Sequence, residues 1–319
     1  MKTIAITMGD AAGIGPEIIA GAWGQLQTIP DCRVVVYGHP DVMRRAATLR
    51  NTNTNIECVT CCSDDVLDVP PCAIDARSGN AAYSAILRAI DDAKAKTVDA
   101  VVTAPIHKAA LHRAGHHYPG HTEIFAEQCG INNFAMMLYL GAGENLGGQF
   151  GLAVVHVTLH TAMKTIFEQI TVESVLAKIH LADGFMRQIS DRQPRIGVCS
   201  LNPHAGEEGL FGDEEIRIIK PAIDRAVSEG IQVEGPQPAD TIMLDARDGK
   251  YDAIVAMFHD QGHIALKLLG MYRAVNITLG LPIVRTSVAH GTAFDKAWQG
   301  TADTGSLLEA VRVAVKLCR

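Results

Sequence analysis

Short apolar runs alternate with amphipathic stretches along the chain, beginning at its third residue. The runs Thr3–Met8, Arg33–Tyr37 and Ala100–Thr103 are predicted to be buried strands, because apolar residues fill most of their positions. Apolar residues at helical spacing lie between these runs, as in Pro16–Leu26 and Ala81–Lys96. This alternation predicts βαβ units and a largely parallel sheet, so the expected fold class is α/β.

The same alternation continues to the end of the chain. Further strands are predicted at Phe134–Leu140, Leu152–Thr158, Arg195–Ser200, Ile231–Val233, Ala253–Phe258, Ala274–Leu279 and Ile283–Thr286, and further helices at Val172–Ile189, Glu214–Glu229 and Ser306–Leu317. The sequence contains no internal repeat and no low-complexity linker. Its 319 residues suit one large or two medium α/β domains.

Composition and charge exclude several classes of function. The formal net charge is −7 and no basic block is present, so nucleic acid is a poor partner. Charge-free apolar runs fall short of the roughly 18 residues that a membrane helix needs. The N-terminal MKTIAITMGD lacks the features of a signal peptide, and we expect a cytoplasmic protein. A C-x-x-C at Cys58 and Cys61 has no second pair at matching spacing, so free thiols are expected.

The stretch VAMFHDQGHIALK, Val255–Lys267, combines a buried strand with polar residues at its end. The predicted strand is followed by a break at His259–His263, after which a helical pattern resumes. Open α/β sheets present ligands at the carboxyl ends of their strands. His259 and Asp260 are suited to bind a metal or move a proton there. Lys267 offers a cation for a carboxylate, a phosphate or a developing enolate.

Two further histidines occupy a position like that of His259. His160 and His204 each follow an apolar strand, as His259 does. Three such histidines with an open coordination position would form a Lewis-acid site for a divalent ion such as zinc. His156 and His263 lie within continuing elements, where packing or support of the ligands is expected.

Other candidate residues lie at helix starts and on late strands. His121 and Thr122 could bind an anion at a helix N-terminus, or Thr122 could simply cap that helix. Asp240 is a candidate acid, base or orienting group, or a cap. The late strands carry an amide, Asn276, and a cation, Arg285. Together with Lys267 these groups would suit a phosphorylated substrate.

A glycine-rich turn and a small-residue segment bear on the cofactor. The turn Gly9–Gly15 has the spacing G-x-x-x-G-x-G rather than G-x-G-x-x-G, which disfavours an ordinary Rossmann site. The small residues of Ser287–Ala293 would permit close approach of a flat ligand such as a nicotinamide nucleotide.

Together these motifs resemble the 4-hydroxythreonine-4-phosphate dehydrogenase family, which is related to the isocitrate and isopropylmalate dehydrogenases. The matching segments are ITMGDAAGIGPE, TAPIHK, GHTE, LNPHAGEEGLFGDEE, GPQPADT, AMFHDQGHIALK, VNITLGLPIVRTS and HGTAFD. The resemblance implies an isopropylmalate-dehydrogenase-like fold of two α/β domains with a central cleft. Residues 1–130 with 291–319 would form the first domain, and residues 131–290 the second, which would carry the metal ligands and the dimer interface.

The resemblance also implies a homodimer with its active site at the subunit interface. A divalent metal, zinc or alternatively magnesium, manganese or cobalt, would be held by His160, His204 and His259, with one ligand from the partner chain. The implied substrate contacts are His121, Thr122, Lys267, Asn276 and Arg285. NAD or NADP would bind through Gly291, Thr292, Ala293 and Asp295.

The family chemistry is oxidation of a secondary alcohol β to a carboxylate, followed by loss of carbon dioxide. Either Lys267 or Asp260 could handle the proton. Asp240 is a further candidate for such a role. Ala11 and His107 stand where the family usually has proline and asparagine, which resembles its second branch. Members of that branch convert D-threonate or D-erythronate 4-phosphate to dihydroxyacetone phosphate.

Three alternatives to that branch stay open. The substrate could be the 4-hydroxythreonine 4-phosphate of pyridoxal phosphate synthesis. Ala289 and Trp298 depart from the family pattern and leave open a different substrate, such as a dihydrodiol carboxylate, although Trp298 could equally fill a packing gap. A remote alternative is a metal-binding descendant that has lost the cofactor.

Overall fold

The computed structural model describes residues 1–143 and 145–318. The chain divides into two compact units, Met1–Phe134 with Leu281–Arg319 (unit 1) and Ala135–Gly280 (unit 2). Each unit contains α-helices and a β-sheet, and the predicted α/β class with largely parallel strands is confirmed.

Unit 1 carries a parallel sheet in the order β3-β2-β1-β4-β11. Its strands are β1 (Lys2–Thr7), β2 (Cys32–Gly38), β3 (Cys58–Thr60), β4 (Ala100–Thr103) and β11 (Val284–Val288). Its helices are α1 (Gly15–Leu26), α2 (Pro40–Leu49), α3 (Ala76–Lys94), α4 (Lys108–Arg113), α5 (His121–Gln128) and α11 (Gly305–Leu317). Apolar side chains of the central strands, such as Ile4 and Val101, are fully buried, which explains their uninterrupted apolar pattern.

Unit 2 carries a mixed sheet in the order β10-β5-β6-β9-β7-β8. Its strands are β5 (Ala135–Leu140), β6 (Leu152–His156), β7 (Ile196–Cys199), β8 (Val233–Gln237), β9 (Ala253–Ala256) and β10 (Ala274–Leu279). The pairs β10/β5 and β5/β6 are antiparallel, while β6, β9, β7 and β8 run parallel. Its helices are α6 (Ile166–Gln169), α7 (Val172–Ile189), α8 (Lys220–Ser228), α9 (Ala239–Arg247) and α10 (His259–Gly270).

The ends of two strands differ from the sequence prediction. The prediction of a break at His259–His263 is wrong, because α10 begins at His259 directly after the extended residue Phe258. After β7, a short segment Pro203–Gly209 has left-handed backbone at His204, which no sequence pattern indicated. Both segments carry predicted metal ligands.

No helix within residues 1–143 and 145–318 combines the length and apolar character needed to cross a membrane.

Candidate active site

The parallel strands β6, β9 and β7 of unit 2 are neighbours, so their carboxyl ends lie at one edge of the sheet. His160 follows β6 by four residues, and His259 begins α10 shortly after β9. His204 lies in the segment that follows β7. The topology thus brings the segments of all three predicted metal ligands to the same edge.

Four histidines and one carboxylate form a cluster at this edge. The Nδ1 atom of His259 is 2.6 Å from Oδ1 of Asp260, and the ring centroids of His160 and His259 are 6.1 Å apart. His263 stacks on His259 with centroids 3.8 Å apart and planes at 13°. Behind this stack, Nδ1 of His263 is 3.1 Å from Nε2 of His156. His160, His259 and Asp260 line a common pocket of about 380 Å³.

The inner two histidines are neutral at neutral pH. Burial lowers the pKa of His156 well below its usual range, and the charges of His263 and His259 lower it further. The pKa of His263 is lowered to about 4, mainly by burial and further by the positive charges of His259 and Lys267. Because a neutral imidazole has one donor and one acceptor nitrogen, two neutral rings can form the observed hydrogen bond. His156 and His263 therefore support the cluster from inside.

His204 lies apart from the other two predicted ligands. Its backbone has φ of 52°, its side chain is 71% exposed, and its Nδ1 is 3.8 Å from Oε1 of Glu207. It lines a larger groove of about 720 Å³ that also contains Asp240 and Asp260. Across residues 1–143 and 145–318, no three His, Cys, Asp or Glu residues of one chain are grouped closely enough to hold a metal ion. A single chain therefore assembles His160 and His259 but not the full predicted set.

Two alternative roles for polar residues at helix starts are decided by the structure. The N-cap of α9 is Pro238, so Asp240 lies inside the first turn and is not the capping residue. The N-cap of α5 is Gly120, so Thr122 is likewise within the first turn. Both residues remain candidates for binding roles.

A buried cation of unit 1, Arg285, acts on the histidine that begins α5, His121. Arg285 on β11 is 1% exposed, its Nη2 donates to Thr103 Oγ1 at 2.6 Å, and its guanidinium lies 5.5 Å from the Phe125 ring. Burial lowers the pKa of Arg285. The buried Nε2 atom of His121 has no hydrogen-bond partner among the described residues. Burial lowers the pKa of His121 well below its usual range, and the charge of Arg285 adds to this effect. An anion entering here would meet one fixed cation and one open ring nitrogen.

The other predicted substrate contacts lie in unit 2. Lys267 is half-buried on α10, one turn after His263, and its charge acts on that ring. Asn276 is on β10, where its Nδ2 is 3.3 Å from the sulfur of Met136. The buried Oδ1 of Asn276 has no hydrogen-bond partner among residues 1–143 and 145–318. An unsatisfied buried amide oxygen is the kind of group that a ligand hydroxyl can satisfy.

The glycine-rich turn of unit 1 uses its backbone amides internally. Ala11 N–H donates to Ser78 Oγ, and Ala12 N–H donates to Asp10 Oδ1, each at 2.8 Å. Ile14 N–H donates to the Thr292 carbonyl at 3.1 Å. These three amides are therefore not available to bind a phosphate in the way that those of a phosphate-binding loop are. This agrees with the prediction that the site is not an ordinary Rossmann site.

The segment after β11 contacts the same turn. The indole Nε1 of Trp298 donates to the Ala11 carbonyl at 2.9 Å, and the Arg45 guanidinium lies 5.3 Å from its ring. Trp298 therefore has a packing role in unit 1. Among the predicted cofactor residues, Thr292 accepts from the turn, Ala293 has φ of 41°, and Gly291 and Asp295 are exposed.

Sequence reasoning missed two residues that organise the segments of the predicted ligands. Glu215 is 3% exposed and accepts hydrogen bonds from the segment before His204. Gln261 joins that segment to the residues before His259. Glu215 closes the family motif LNPHAGEEGLFGDEE, but as an acidic residue within the predicted helix Glu214–Glu229 it is expected to be exposed to solvent.

Comparison with known proteins identifies the family of the chain. The family model described as "Pyridoxal phosphate biosynthetic protein PdxA" matches residues 30–314. D-threonate 4-phosphate dehydrogenase of Pectobacterium atrosepticum is 42% identical, with 99% of each chain covered. 4-hydroxythreonine-4-phosphate dehydrogenase of Beijerinckia indica is 46% identical, with 98% of this chain and 94% of the relative covered.

A solved structure of a further relative is similar to this chain over its whole length. The crystal structure of 4-hydroxythreonine-4-phosphate dehydrogenase from Klebsiella pneumoniae matches with a TM-score of 0.85 at 40% identity, covering 100% of both chains. The family resemblance expected from the sequence motifs is thereby confirmed. The chain belongs to the PdxA family of dehydrogenases and is an oxidoreductase.

Proposed function

We propose that this enzyme oxidises and decarboxylates a phosphorylated 3-hydroxy acid, with NAD as cofactor and a divalent metal. The proposed substrate is D-threonate 4-phosphate or D-erythronate 4-phosphate, and the products are dihydroxyacetone phosphate and carbon dioxide. The observation that carries the proposal is the pair of neighbouring imidazoles of His160 and His259, with Asp260 bound to the second ring. The name and 42% identity of the Pectobacterium relative support this choice of substrate.

The donor set of unit 2 fits a divalent metal such as zinc, with magnesium, manganese or cobalt as alternatives. Two imidazole ligands of one tetrahedral zinc have ring centroids about 5 Å apart, and those of His160 and His259 are 6.1 Å apart. The carboxylate of Asp260 at Nδ1 of His259 leaves Nε2 as the ligand atom. A bound metal would supply Lewis acidity toward the alcohol and carbonyl oxygens of the substrate. We propose that His204, which lies in a separate groove, reaches this site from the partner subunit.

We propose that the substrate phosphate binds at Arg285, His121 and Thr122. The buried guanidinium favours a dianion, and the open Nε2 of His121 would gain a partner. Lys267 and Asn276 are proposed contacts for the carboxylate and hydroxyl groups. Their character supports this assignment, because Lys267 is a half-buried cation and Asn276 has an unsatisfied amide oxygen.

We propose that Lys267 handles the proton step. In the proposed reaction the alcohol would be oxidised to a ketone with release of its hydroxyl proton, and a bound nicotinamide cofactor would supply the hydride acceptor. The bond to the carboxylate then breaks, carbon dioxide leaves, and the electron pair remains on the α-carbon. That carbon takes a proton, which the ammonium group of Lys267 can donate. Asp260 is less suited, because its carboxylate is bound to His259. Asp240 lines the same groove as His204 and is a weaker candidate for the same step.

We propose that NAD, or alternatively NADP, contacts Gly291, Thr292, Ala293 and Asp295. A side chain at Gly291 would meet no described atom within 4 Å, so a flat ring has room to approach there. The exposed carboxylate of Asp295 suits the ribose hydroxyls of NAD. The cofactor's own chemistry accepts the hydride.

The apolar groove of unit 2 supports a homodimer. Leu268 is 83% exposed, Ile264 58% and Leu244 51%, and all three line the groove that contains His204 and Asp260. Exposed apolar patches of this kind mark interaction sites. A second copy of the chain is the proposed occupant, because the predicted metal site needs a ligand that one chain does not assemble. The proposed setting is the cytoplasm.

The 4-hydroxythreonine 4-phosphate reaction is the second candidate. The Beijerinckia relative of that name is 46% identical, so overall identity does not favour the threonate branch. His107 supports the threonate branch through the resemblance described above, and its ring lies 4.8 Å from that of Phe294. A dihydrodiol carboxylate is less favoured. Trp298, the residue that left this substrate open, donates a hydrogen bond to the Ala11 carbonyl and so has a packing role.

The deciding experiment measures NADH formation with zinc, manganese or cobalt and three substrates in parallel. D-threonate 4-phosphate, D-erythronate 4-phosphate and 4-hydroxythreonine 4-phosphate are compared by kcat/KM. A preference for either of the first two supports the proposal, and a preference for the third moves the enzyme to the other branch. Absence of turnover with all three, combined with absence of thermal protection by NAD or NADP, would favour a descendant without dehydrogenase activity.

A further inference from the structure

A buried carboxylate holds the segment that carries His204. Oε1 of Glu215 accepts hydrogen bonds from the backbone N–H groups of Leu201 and Asn202, both at 2.8 Å. Oε2 of Glu215 accepts from Nδ2 of Asn202 at 2.9 Å. The same oxygen faces Gly206, where an added Cβ would lie 2.8 Å from it. Glu215 thus contacts the chain on both sides of His204.

An amide joins this segment to the start of α10. Oε1 of Gln261 accepts from the backbone N–H of Met257 at 2.7 Å, and its Nε2 donates to the Ser200 carbonyl at 2.8 Å. Because one side of the link needs an acceptor and the other a donor, an amide side chain satisfies both. Gln261 therefore connects the residues before His259 with those before His204.

The backbone around His204 requires such support. Non-glycine residues with left-handed φ are uncommon, and four occur together here: His204, Ala205, Glu207 and Glu208. Each such residue is less stable in this conformation than in the right-handed one. Such a conformation persists only when the surrounding structure fixes it, and Glu215 holds Leu201 and Asn202, directly before this segment, by three hydrogen bonds.

We propose that Glu215 and Gln261 are positioning residues for the two metal-ligating segments, those of His204 and His259. Glu215 fixes the backbone from which the His204 side chain projects. Gln261 holds the residues before α10 against the residues before His204. The inference rests on the metal site of the proposed function. Neither residue contacts the metal or the substrate in this assignment, and each acts through the backbone that carries a ligand.

The test compares Glu215→Gln with the matched control Glu208→Gln. Both changes remove one negative charge from the same region, but Glu208 is exposed. In Glu215→Gln, an amide nitrogen would face the Asn202 amide in place of an acceptor oxygen. Binding of Zn²⁺ and Co²⁺ to the purified full chain is measured by calorimetry, and the visible spectrum of the Co²⁺ form reports ligand geometry. We expect about tenfold weaker binding and an altered Co²⁺ spectrum for Glu215→Gln, and wild-type behaviour for Glu208→Gln.

Gln261→Glu provides an independent second variant. It keeps the acceptor for Met257 but places an oxygen against the Ser200 carbonyl, and the same loss of affinity is expected. Wild-type metal affinity and spectrum in both variants would overturn the inference while leaving the metal site intact. Absence of metal binding in the wild-type protein would instead refute the metal site itself. If Glu215→Gln does not fold, as judged by circular dichroism, Gln261→Glu decides the question by the same measurements.

Discussion

The two units present their predicted binding residues in contrasting ways. In unit 1, Arg285 is 1% exposed and its charge acts on the half-buried His121 of the same chain. In unit 2, His160 and His204 are exposed, and one chain groups only part of the predicted ligand set. A fixed guanidinium and an open imidazole nitrogen can both donate to an anion, so the first arrangement is suited to a small dianion. The second arrangement is suited to completion by another chain.

This difference predicts which substitutions affect a site formed by one chain and which affect a site formed by two chains. Changes in unit 1 should alter substrate affinity without altering metal content. Changes in unit 2 should alter metal binding first and catalysis as a consequence. The predictions below run from the largest expected effect to the smallest.

Removal of the buried charge of unit 1 should have the largest effect. Arg285→Met is expected to lower kcat/KM by about a thousandfold, corresponding to the loss of a buried charge pair with the phosphate. The exposed Arg312, which pairs with Glu309 on α11, provides the control Arg312→Met. Steady-state kinetics and metal analysis check the prediction. Wild-type kinetics in a folded Arg285→Met protein would rule out a phosphate site at this position.

Removal of the charge on Asp260 should weaken metal binding by about 10- to 100-fold. Asparagine at this position would hold Nδ1 of His259 less strongly, so the Nε2 ligand atom would be less basic and less well oriented. Calorimetric titration with Zn²⁺ measures the affinity. The control is Asp191→Asn, at an exposed position of unit 2. Equal affinity for both variants would show that Asp260 does not orient His259.

The buried histidine of unit 1 should make the protein less stable in acid. The unfolded chain protonates a histidine near pH 6.5, whereas folded His121 resists protonation to lower pH because of burial. Below pH 6.5 the unfolded state therefore binds more protons, and the free energy of unfolding falls by up to about 1.4 kcal/mol per pH unit. His121→Gln should reduce this fall, and the exposed His117→Gln should not. Urea unfolding at about pH 7 and about pH 5 measures it.

Substitution of Trp298 should have the smallest effect. Trp298→Phe loses the hydrogen bond to the Ala11 carbonyl, which is worth about 1 kcal/mol of unfolding free energy. Because the ring otherwise packs within unit 1, the ratio of kcat/KM values among the three candidate substrates should not change. Thermal unfolding and parallel kinetics provide the measurement. A changed substrate ratio would place Trp298 at the substrate after all.

The strands could be predicted from sequence because their apolar runs reflect burial on both faces of a parallel sheet. That periodicity also placed His160, His204 and His259 just beyond strand ends, where the structure has them. The left-handed segment Pro203–Gly209 could not be predicted, since Glu215 holds it by contacts distant in sequence. The start of α10 at His259 was missed because a His-Asp-Gln-Gly run resembles a loop.

The burial of individual polar side chains was equally inaccessible to sequence reasoning. Arg285 reads as an ordinary strand residue, and only the packing of β11 against β4 shows that it is enclosed. Ligation across a subunit interface depends on a second chain, so no pattern within one sequence could establish it from the residues alone. The predicted ligand set remains a prediction for the same reason.

The most direct test of the central claim, a metal site shared between subunits, is complementation between two inactive variants. His204→Ala chains and His259→Ala chains are given different tags, refolded together, and the heterodimer is purified through both tags. If His204 serves the partner's site, one of the two sites in each heterodimer retains all three histidines, and about half of the wild-type metal content and activity should return. A heterodimer as inactive and metal-free as its parents, or a failure of the chains to associate, would contradict the account.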